Sequence, residues 1–241
     1  MIVFFKYCDL MLLSGKTALV TGAAGRLGAQ IARTLHQNGA NLIIHYRRSS
    51  NDAQALASAL NQQRENTALA IAADLASLTD LETLATEACA AFDGLDLLIN
   101  NASSFYPTPF GDIGLEQFDD LIASNYRAPL LLAQACYPAL KKSGGCIINL
   151  LDIYASRPLN QHSVYCSAKA ANQMLVKSLA LELAPEVRVN GIAPGAILWP
   201  ESGDSADYQQ SVLDQIPLQR SGKPRDIADT ALFLASSCLL Y

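Results

Sequence analysis

The chain has 241 residues, of which 51% are hydrophobic and 16% are charged, and its formal net charge is −5. This size and composition suit one domain with a substantial core, and the acidic balance argues against nucleic acid as a partner. The six cysteines form no C-x-x-C pair and the three histidines have no ligand spacing, so we expect no metal site and reduced thiols in a cytoplasmic protein.

The first thirteen residues are apolar, but Lys6 and Asp9 interrupt them. This stretch lacks a basic leader and a small-residue cleavage site, and it is too short to span a bilayer. We therefore expect an N-terminal extension at residues 1–13, ahead of a single domain at residues 14–241. Met11 is an alternative start for the domain. We expect no association with a membrane.

Short apolar runs alternate with helical patterns along the rest of the chain. The predicted strands are Thr17–Thr21, Asn41–Tyr46, Ala68–Ala72, Leu95–Asn100, Cys146–Leu151 and Val187–Ala193. The predicted helices are Leu27–Asn38, Asp52–Gln63, Leu78–Phe92, Leu115–Leu140, Val164–Leu183, Tyr208–Ile216 and Arg225–Ser236. Strands that alternate with long helices indicate βαβ units, and right-handed crossovers then place helices on both faces of one parallel sheet. The sequence therefore predicts a doubly wound, Rossmann-type α/β fold.

A glycine-rich segment directly follows the first predicted strand and reads Thr21-Gly22-Ala23-Ala24-Gly25-Arg26-Leu27-Gly28. Glycines at a turn between strand and helix let the backbone approach a pyrophosphate, which the helix N-terminus attracts. The spacing is G-x-x-G-x-x-G and differs from the G-x-G-x-x-G fingerprint. An ordinary tight turn is the alternative, but the position before a long helix favours phosphate binding.

The end of the second predicted strand indicates which dinucleotide is used. An acidic residue there would bind the ribose 2′-hydroxyl of NAD, whereas this chain has His45-Tyr46-Arg47-Arg48-Ser49-Ser50. Guanidinium groups pair strongly with phosphate. A solvated basic loop is the alternative. With Arg26 also in the turn, we predict NADP(H) as the cofactor.

Tyr165 and Lys169 are four residues apart in a predicted helix, so both side chains lie on one face. A nearby ammonium group favours the phenolate and is expected to lower the pKa of Tyr165, which suits acid–base catalysis near neutral pH. Such a pair is often only a surface contact. Combined with the glycine-rich turn, it indicates a nucleotide-dependent redox enzyme.

These motifs resemble the short-chain dehydrogenase/reductase family, and the resemblance runs from about Lys16 to Ser237. The matching elements are the glycine-rich turn, Asp74, Asn100-Asn101-Ala102, Asn125, the Tyr165/Lys169 pair and Pro194-Gly195. Within the family, the chain looks most like the pteridine reductases. Three features carry this: Arg26 in the turn, the segment from Asn100 to Pro109 (NNASSFYPTP), and Asp152 where the wider family has a catalytic serine.

The resemblance implies a role for each matching residue. The catalytic residues would be Asp152, Tyr165, Lys169 and Asn125. The cofactor would be bound by Gly22, Arg26, Leu27, Tyr46, Arg47, Arg48, Ser49, Asp74, Leu75, Asn101, Ala102, Ser103, Tyr165, Lys169, Pro194 and Gly195. The substrate would be bound by Arg26, Ser103, Phe105, Asp152 and Tyr165.

The implied reaction is NADPH-dependent reduction of a C=N bond in a dihydropterin or dihydrofolate. Tyr165 would donate the proton, Lys169 would hold the nicotinamide ribose and Asn125 would position a water that resupplies the proton. Phe105 would stack on the flat substrate. The alternative is that Phe105 and Tyr106 are loop residues that fill the core, which explains Tyr106 equally well.

The chain departs from the family at its end, where relatives continue into a final strand that contributes to subunit contacts. We expect that strand to be missing. We also expect the protein to form a homo-oligomer, which is a tetramer in relatives, with this subunit contact altered. Two other functions compete with pterin reduction. One is a generic carbonyl (keto or acyl) reductase, against which Phe105 and Asp152 argue. The other is a non-catalytic NADP-binding sensor, for which a proton donor would be superfluous.

Overall fold

A computed structural model of the chain describes residues 11–197 and 206–236. Most of the predicted extension lies outside the described residues, and so does the end of the chain, where the final strand is expected to be missing. Within them, Leu13 is buried in the core, and its amide N donates to the carbonyl oxygen of Asn38 at 2.8 Å.

Six parallel strands form one sheet. They are β1 (Thr17–Val20), β2 (Asn41–Tyr46), β3 (Ala68–Ala72), β4 (Leu97–Asn100), β5 (Cys146–Leu150) and β6 (Arg188–Ile192), in the spatial order β3-β2-β1-β4-β5-β6. The order reverses between β1 and β4, and such a point is where open α/β sheets bind ligands at the carboxyl ends of their strands.

Eight α-helices are described. They are α1 (Arg26–Gln37), α2 (Ser50–Gln63), α3 (Leu78–Ala90), α4 (Leu115–Ile122), α5 (Ala128–Ser143), α6 (Ser163–Glu182), α7 (Ala206–Leu213) and α8 (Pro224–Ala235). They cover both faces of the sheet, as predicted, so the doubly wound fold is confirmed.

Two apolar clusters fill the space between the sheet and its helices. Val20 and Ile44 point into the cluster that includes α1, α2 and α8, whereas Leu19 and Ile43 point into the one that includes α3 and α5. Side chains alternate across a strand, so a strand covered on both faces must be apolar at every position. This explains why β1, β2 and β4 read as continuous apolar runs.

Most predicted elements agree with the structure to within two residues, and one long helix differs in kind. The predicted helix Leu115–Leu140 is divided into α4 and α5 by a π-helical turn at Ala123–Arg127. Such turns widen the helix by one residue and are common at functional sites. The third helix ends at Ala90, earlier than predicted, because Phe92 has a φ of +48° within a short 3₁₀ turn.

Among the residues that the structure describes, no helix combines the length and apolar character needed to cross a membrane. The same part of the chain holds no group of three or more His, Cys, Asp or Glu side chains arranged to bind a metal ion.

Candidate active site

The turn between β1 and α1 depends on two glycines. Gly22 has a φ of +63°, in the left-handed region that residues with a Cβ atom rarely adopt. A Cβ atom at Gly28 would collide with the carbonyl oxygen of Gly22 and the side-chain amide of Asn101. As a result, α1 begins directly against the carboxyl end of β1, where its N-terminal amide groups and dipole favour an anion.

The segment after β4 holds this turn in place. The side-chain amide of Asn101 donates to the carbonyl oxygens of Thr21 at 2.8 Å and Gly22 at 3.2 Å. The hydroxyl of Thr21 accepts from the backbone amides of Asn101 at 2.9 Å and Ala102 at 3.0 Å. The turn and the β4 segment therefore form one rigid wall at the point where the strand order reverses.

A cleft of about 410 Å³ lies against this wall. It is lined by Gly22, Gly25, Arg26, Leu27, Gly28, His45, Arg47, Asp74, Leu75, Asn101, Ala102, Ser103, Ser104 and Ser124. Nine of these were predicted to bind the cofactor: Gly22, Arg26, Leu27, Arg47, Asp74, Leu75, Asn101, Ala102 and Ser103. The glycine-lined wall and the adjacent helix N-terminus fit a dinucleotide pyrophosphate.

Arg47 lies beside two carboxylates at the edge of this cleft. Its guanidinium is 4.0 Å from a carboxylate oxygen of Asp74 and 3.7 Å from one of Asp120. Its side chain is 43% exposed, so these long ion pairs add little stability and leave it able to bind a ligand. The predicted neighbours Arg48 and Ser49 are exposed before α2 and do not line the cleft.

Five other predicted cofactor residues do not line the cleft: Tyr46, Pro194, Gly195, and the pair Tyr165 and Lys169, which is described below. The hydroxyl of Tyr46 accepts a hydrogen bond from Ser50 at 3.4 Å, at the start of α2. Pro194 and Gly195 follow β6, and the carbonyl oxygen of Pro194 accepts from the amide of Ile153 at 3.3 Å. That bond places the segment after β6 next to Asp152.

The predicted catalytic residues come together at the carboxyl end of β5. Asp152 follows β5 in extended backbone and precedes a 3₁₀ turn at Ile153–Ala155. One of its carboxylate oxygens accepts from the amide of Tyr154 at 2.9 Å, and the other accepts from the hydroxyl of Tyr165 at 2.6 Å. Both oxygens are thus fixed, and the carboxylate orients the Tyr165 hydroxyl.

Lys169 lies one helical turn after Tyr165, as its spacing predicts, and is only 2% exposed. Its ammonium group donates to the carbonyl oxygen of Leu150 at 2.9 Å and is 5.7 Å from the centroid of the Tyr165 ring. Burial lowers the pKa of Lys169 from 10.5 to about 8, although the charge of Asp152 opposes this shift. The ammonium group of Lys169 therefore loses its proton more readily than that of an exposed lysine.

The expectation that Lys169 lowers the pKa of Tyr165 is wrong for this structure. Burial of the phenol and the adjacent Asp152 carboxylate raise the pKa of Tyr165 well above its ordinary value of 10.0. The carboxylate accepts the phenol's hydrogen directly, whereas the nearest partner of Lys169 is a backbone carbonyl. Tyr165 is consequently a fully protonated phenol at neutral pH.

Asn125 lies in the π-helical turn and is 1% exposed. Its side-chain oxygen accepts from the hydroxyl of Ser103 at 2.7 Å, and its side-chain nitrogen donates to the carbonyl oxygen of Ser104 at 2.9 Å. Its backbone oxygen accepts from the side chain of Asn172 at 2.8 Å. Asn125 thereby orients the segment that carries Phe105, and its predicted role in holding a water stays a prediction.

Phe105 is 51% exposed and lies beside Tyr165, the predicted proton donor. Its ring meets Tyr165 edge-on at 4.8 Å between centroids and stacks on His162 at 4.8 Å with an interplanar angle of 16°. Tyr106 instead donates to Asp120 at 3.1 Å and packs in a small apolar cluster near Tyr165, as the packing alternative expects.

Sequence reasoning missed two histidines at the site. His162 precedes Tyr165 by three residues, which is almost one helical turn, and this spacing was a usable signal. His45 lies in the apolar run of β2 and lines the cleft. Its side chain accepts from the backbone amide of Gly22 at 3.0 Å, which no local pattern indicates.

This fold and site define a class of protein. A glycine turn at the reversal point of a doubly wound parallel sheet, with a buried Tyr/Lys pair beside it, is the arrangement of an oxidoreductase that uses a nicotinamide dinucleotide. A family model described as "Enoyl-(Acyl carrier protein) reductase" matches residues 22–239. The chain belongs to the short-chain dehydrogenase/reductase family.

Similar proteins in this family act on different substrates, as their names indicate. Pteridine reductase 1 of Leishmania tarentolae is 36% identical over 93% of this chain and 91% of its own. The 7α-hydroxysteroid dehydrogenase of Escherichia coli K12 is 35% identical over 95% of this chain and 90% of its own. A solved structure of 7α-hydroxysteroid dehydrogenase, complexed with NADH and 7-oxo glycochenodeoxycholic acid, is 34% identical, with a TM-score of 0.88 and coverage of 95% and 90%.

Proposed function

We propose that this protein is an NADPH-dependent pteridine reductase, which reduces a C=N bond of a dihydropterin or dihydrofolate to the tetrahydro form. One observation carries the proposal: the hydrogen bond of 2.6 Å between Tyr165 and Asp152, with Phe105 edge-on to the same tyrosine. The similarity to Pteridine reductase 1 supports it. So does the polar character of a pterin, which suits a site that pairs a carboxylate with an aromatic ring.

The bound nicotinamide would supply a hydride to the carbon of the C=N bond. The protein's task is then to deliver one proton to the neighbouring nitrogen. Tyr165 holds that proton, because its raised pKa keeps the hydroxyl protonated at neutral pH. Since the hydroxyl donates to Asp152, Asp152 sets its direction until a substrate nitrogen competes for the hydrogen.

Proton transfer leaves a phenolate on Tyr165, and a buried phenolate needs a compensating charge. Lys169 provides it from the same helical face, with its ammonium 5.7 Å from the ring centroid. The stack with His162 fixes the plane of the Phe105 ring next to the reacting hydroxyl. A flat heteroaromatic substrate would then contact this ring as aromatic groups do, in an offset or edge-on arrangement.

For the cofactor we propose NADPH, on the basis of Arg47 at the edge of the cleft and Arg48 beside it. A 2′-phosphate would offer Arg47 a stronger, charge-assisted partner than its carboxylates at 3.7 and 4.0 Å. The carboxylate of Asp74, which also lines the cleft, would favour a ribose hydroxyl and therefore NADH. The two arginines give this loop the positive charge that favours a phosphate, and hence NADPH.

A dehydrogenase or reductase acting on a carbonyl or hydroxyl group is the second candidate, because the similarity to 7α-hydroxysteroid dehydrogenase is equally extensive. One assay separates the two. NADPH and NADH oxidation is followed by absorbance with dihydrobiopterin, dihydrofolate, simple ketones and a 7-oxo bile acid. We expect turnover with a dihydropterin and NADPH. Efficient ketone reduction with every dihydropterin unreacted would replace our proposal by the second candidate.

The substitution Asp152→Ser tests in the same assay whether the carboxylate selects the substrate. It restores the hydroxyl found in the wider family and keeps a group that can accept from Tyr165. We expect loss of dihydropterin reduction, with cofactor affinity and thermal stability retained. Unchanged dihydropterin reduction in Asp152→Ser would show that the carboxylate does not select the substrate.

The homotetramer and the cytoplasmic location stay predictions. Light scattering tests the first of them.

A further inference from the structure

His45 is a buried residue of β2 that makes two contacts with the glycine turn. Its side-chain Nδ1 accepts from the backbone amide of Gly22 at 3.0 Å. Its backbone oxygen accepts from the amide of Ala23, the next residue, at 2.9 Å. The residue is 2% exposed, although its ring lines the cleft beside Gly22. Two consecutive amide groups of the turn are thus held by one residue of the neighbouring strand.

The bond from the Gly22 amide determines the tautomer of His45. A backbone amide only donates, so Nδ1 must carry the lone pair, and the ring proton must be on Nε2. Nε2 lies 3.1 Å from the carbonyl oxygen of Ala73, to which it donates. Burial lowers the pKa of His45, against the opposing effects of this bond and of Asp74, and so favours the neutral ring. The imidazole therefore links the ends of β1, β2 and β3 with a defined polarity.

The opposite side of the turn is held by Asn101, whose amide donates to the carbonyl oxygens of Thr21 and Gly22. His45 holds amide groups and Asn101 holds carbonyl groups, so the turn is clamped from both sides. Gly22 has a left-handed φ of +63°, a conformation that free chains leave readily. The amides that His45 accepts from, those of Gly22 and Ala23, precede α1, whose own N-terminal turn favours an anion.

We propose that His45 is a positioning residue that preorganises the phosphate turn for the dinucleotide. Without its Nδ1 acceptor, the turn would have to be ordered when the cofactor binds, and affinity would fall. This inference depends on the use of a nicotinamide dinucleotide and on neither the pterin nor the 2′-phosphate. It applies equally to NADPH and NADH, because both carry the same pyrophosphate.

Two substitutions distinguish the roles of the two ring nitrogen atoms of His45. In His45→Asn, the side-chain amide reaches the place of Nδ1 and can accept from Gly22. In His45→Gln, the amide reaches the place of Nε2 and can donate to Ala73, but it leaves the Gly22 amide without its partner. Dissociation constants for NADPH and NADH are measured by fluorescence titration without substrate, together with thermal unfolding of each variant.

We expect His45→Gln to lower the affinity for both cofactors about tenfold, because it removes one hydrogen bond. We expect His45→Asn to lower these affinities less than about threefold. The control is His36→Gln. His36 is another buried histidine, in the last turn of α1, and its side chain is hydrogen-bonded to the hydroxyl of Thr67 at 2.8 Å. This substitution should lower the unfolding temperature and leave both affinities unchanged. Equal affinities for the two His45 variants, or a greater loss in His45→Asn, would overturn the inference.

A measurement on the unmodified protein covers the case in which a variant fails to fold. With ¹⁵N-labelled histidine, long-range NMR spectra at neutral pH report which ring nitrogen of each histidine carries the proton. We expect His45 to be protonated on Nε2 alone. A proton on Nδ1 would rule out the bond to Gly22. A failed pterin assay would leave this result unaffected, so the two proposals are tested independently.

Discussion

Lys169 allows a quantitative test of the candidate active site, because its burial lowers its pKa from 10.5 to about 8. A change of one pKa unit corresponds to about 1.4 kcal/mol, so keeping this ammonium group charged in the folded protein costs about 3 kcal/mol. Between pH 8 and pH 10.5 the unfolded chain binds more protons at this lysine than the folded protein does. Stability therefore rises with pH in that range, and the full cost is present below it.

Lys169→Met removes the charge and keeps a side chain of similar length. It also removes the bond to the carbonyl oxygen of Leu150, which offsets part of the gain at neutral pH by about 1–3 kcal/mol. The variant should be close to the wild type in stability at pH 7 and inactive as a reductase. The informative quantity is the difference in unfolding free energy between the two proteins as a function of pH.

Urea unfolding, followed by circular dichroism, measures that difference at several values between pH 7 and pH 9.5. The wild type should gain about 2 kcal/mol relative to Lys169→Met over this interval. The measurements stop below pH 10, the ordinary pKa of a tyrosine. Above it, the raised pKa of Tyr165 in the folded protein would itself lower stability. A difference that changes by less than about 0.5 kcal/mol would refute the reasoning, since Lys169 would then have an ordinary pKa.

Three further predictions concern the reaction. Tyr165→Phe should retain cofactor affinity in a fluorescence titration and lose turnover by about a hundredfold or more, since it removes the positioned proton; normal turnover would assign the proton to another group. Arg47→Ala combined with Arg48→Ala should weaken NADPH by about tenfold or more and leave NADH unchanged; equal affinity of the wild type for both cofactors would contradict this. Phe105→Ala should raise KM for a dihydropterin about threefold to tenfold with NADPH affinity unchanged, and an unchanged KM would exclude stacking on this ring.

Local patterns in the sequence were sufficient for the order of the elements and for part of the site. Strands buried on both faces must be apolar throughout, and the runs at β2 and β4 show this directly. The pairing of Tyr165 and Lys169 on one face follows from helical periodicity alone. These features depend on neighbours within a few residues along the chain.

The electrostatic properties of the same residues depend on atoms that the sequence places far apart. Lys169 was expected to lower the pKa of Tyr165, but in the tertiary structure burial and the carboxylate of Asp152 raise it. The π-helical turn that orients Asn125, and the bond from Gly22 to His45, likewise arise from packing between separate elements. Periodicity determines which side chains share a face. The loss of water and the distances through space determine their charge, and only the folded chain sets those.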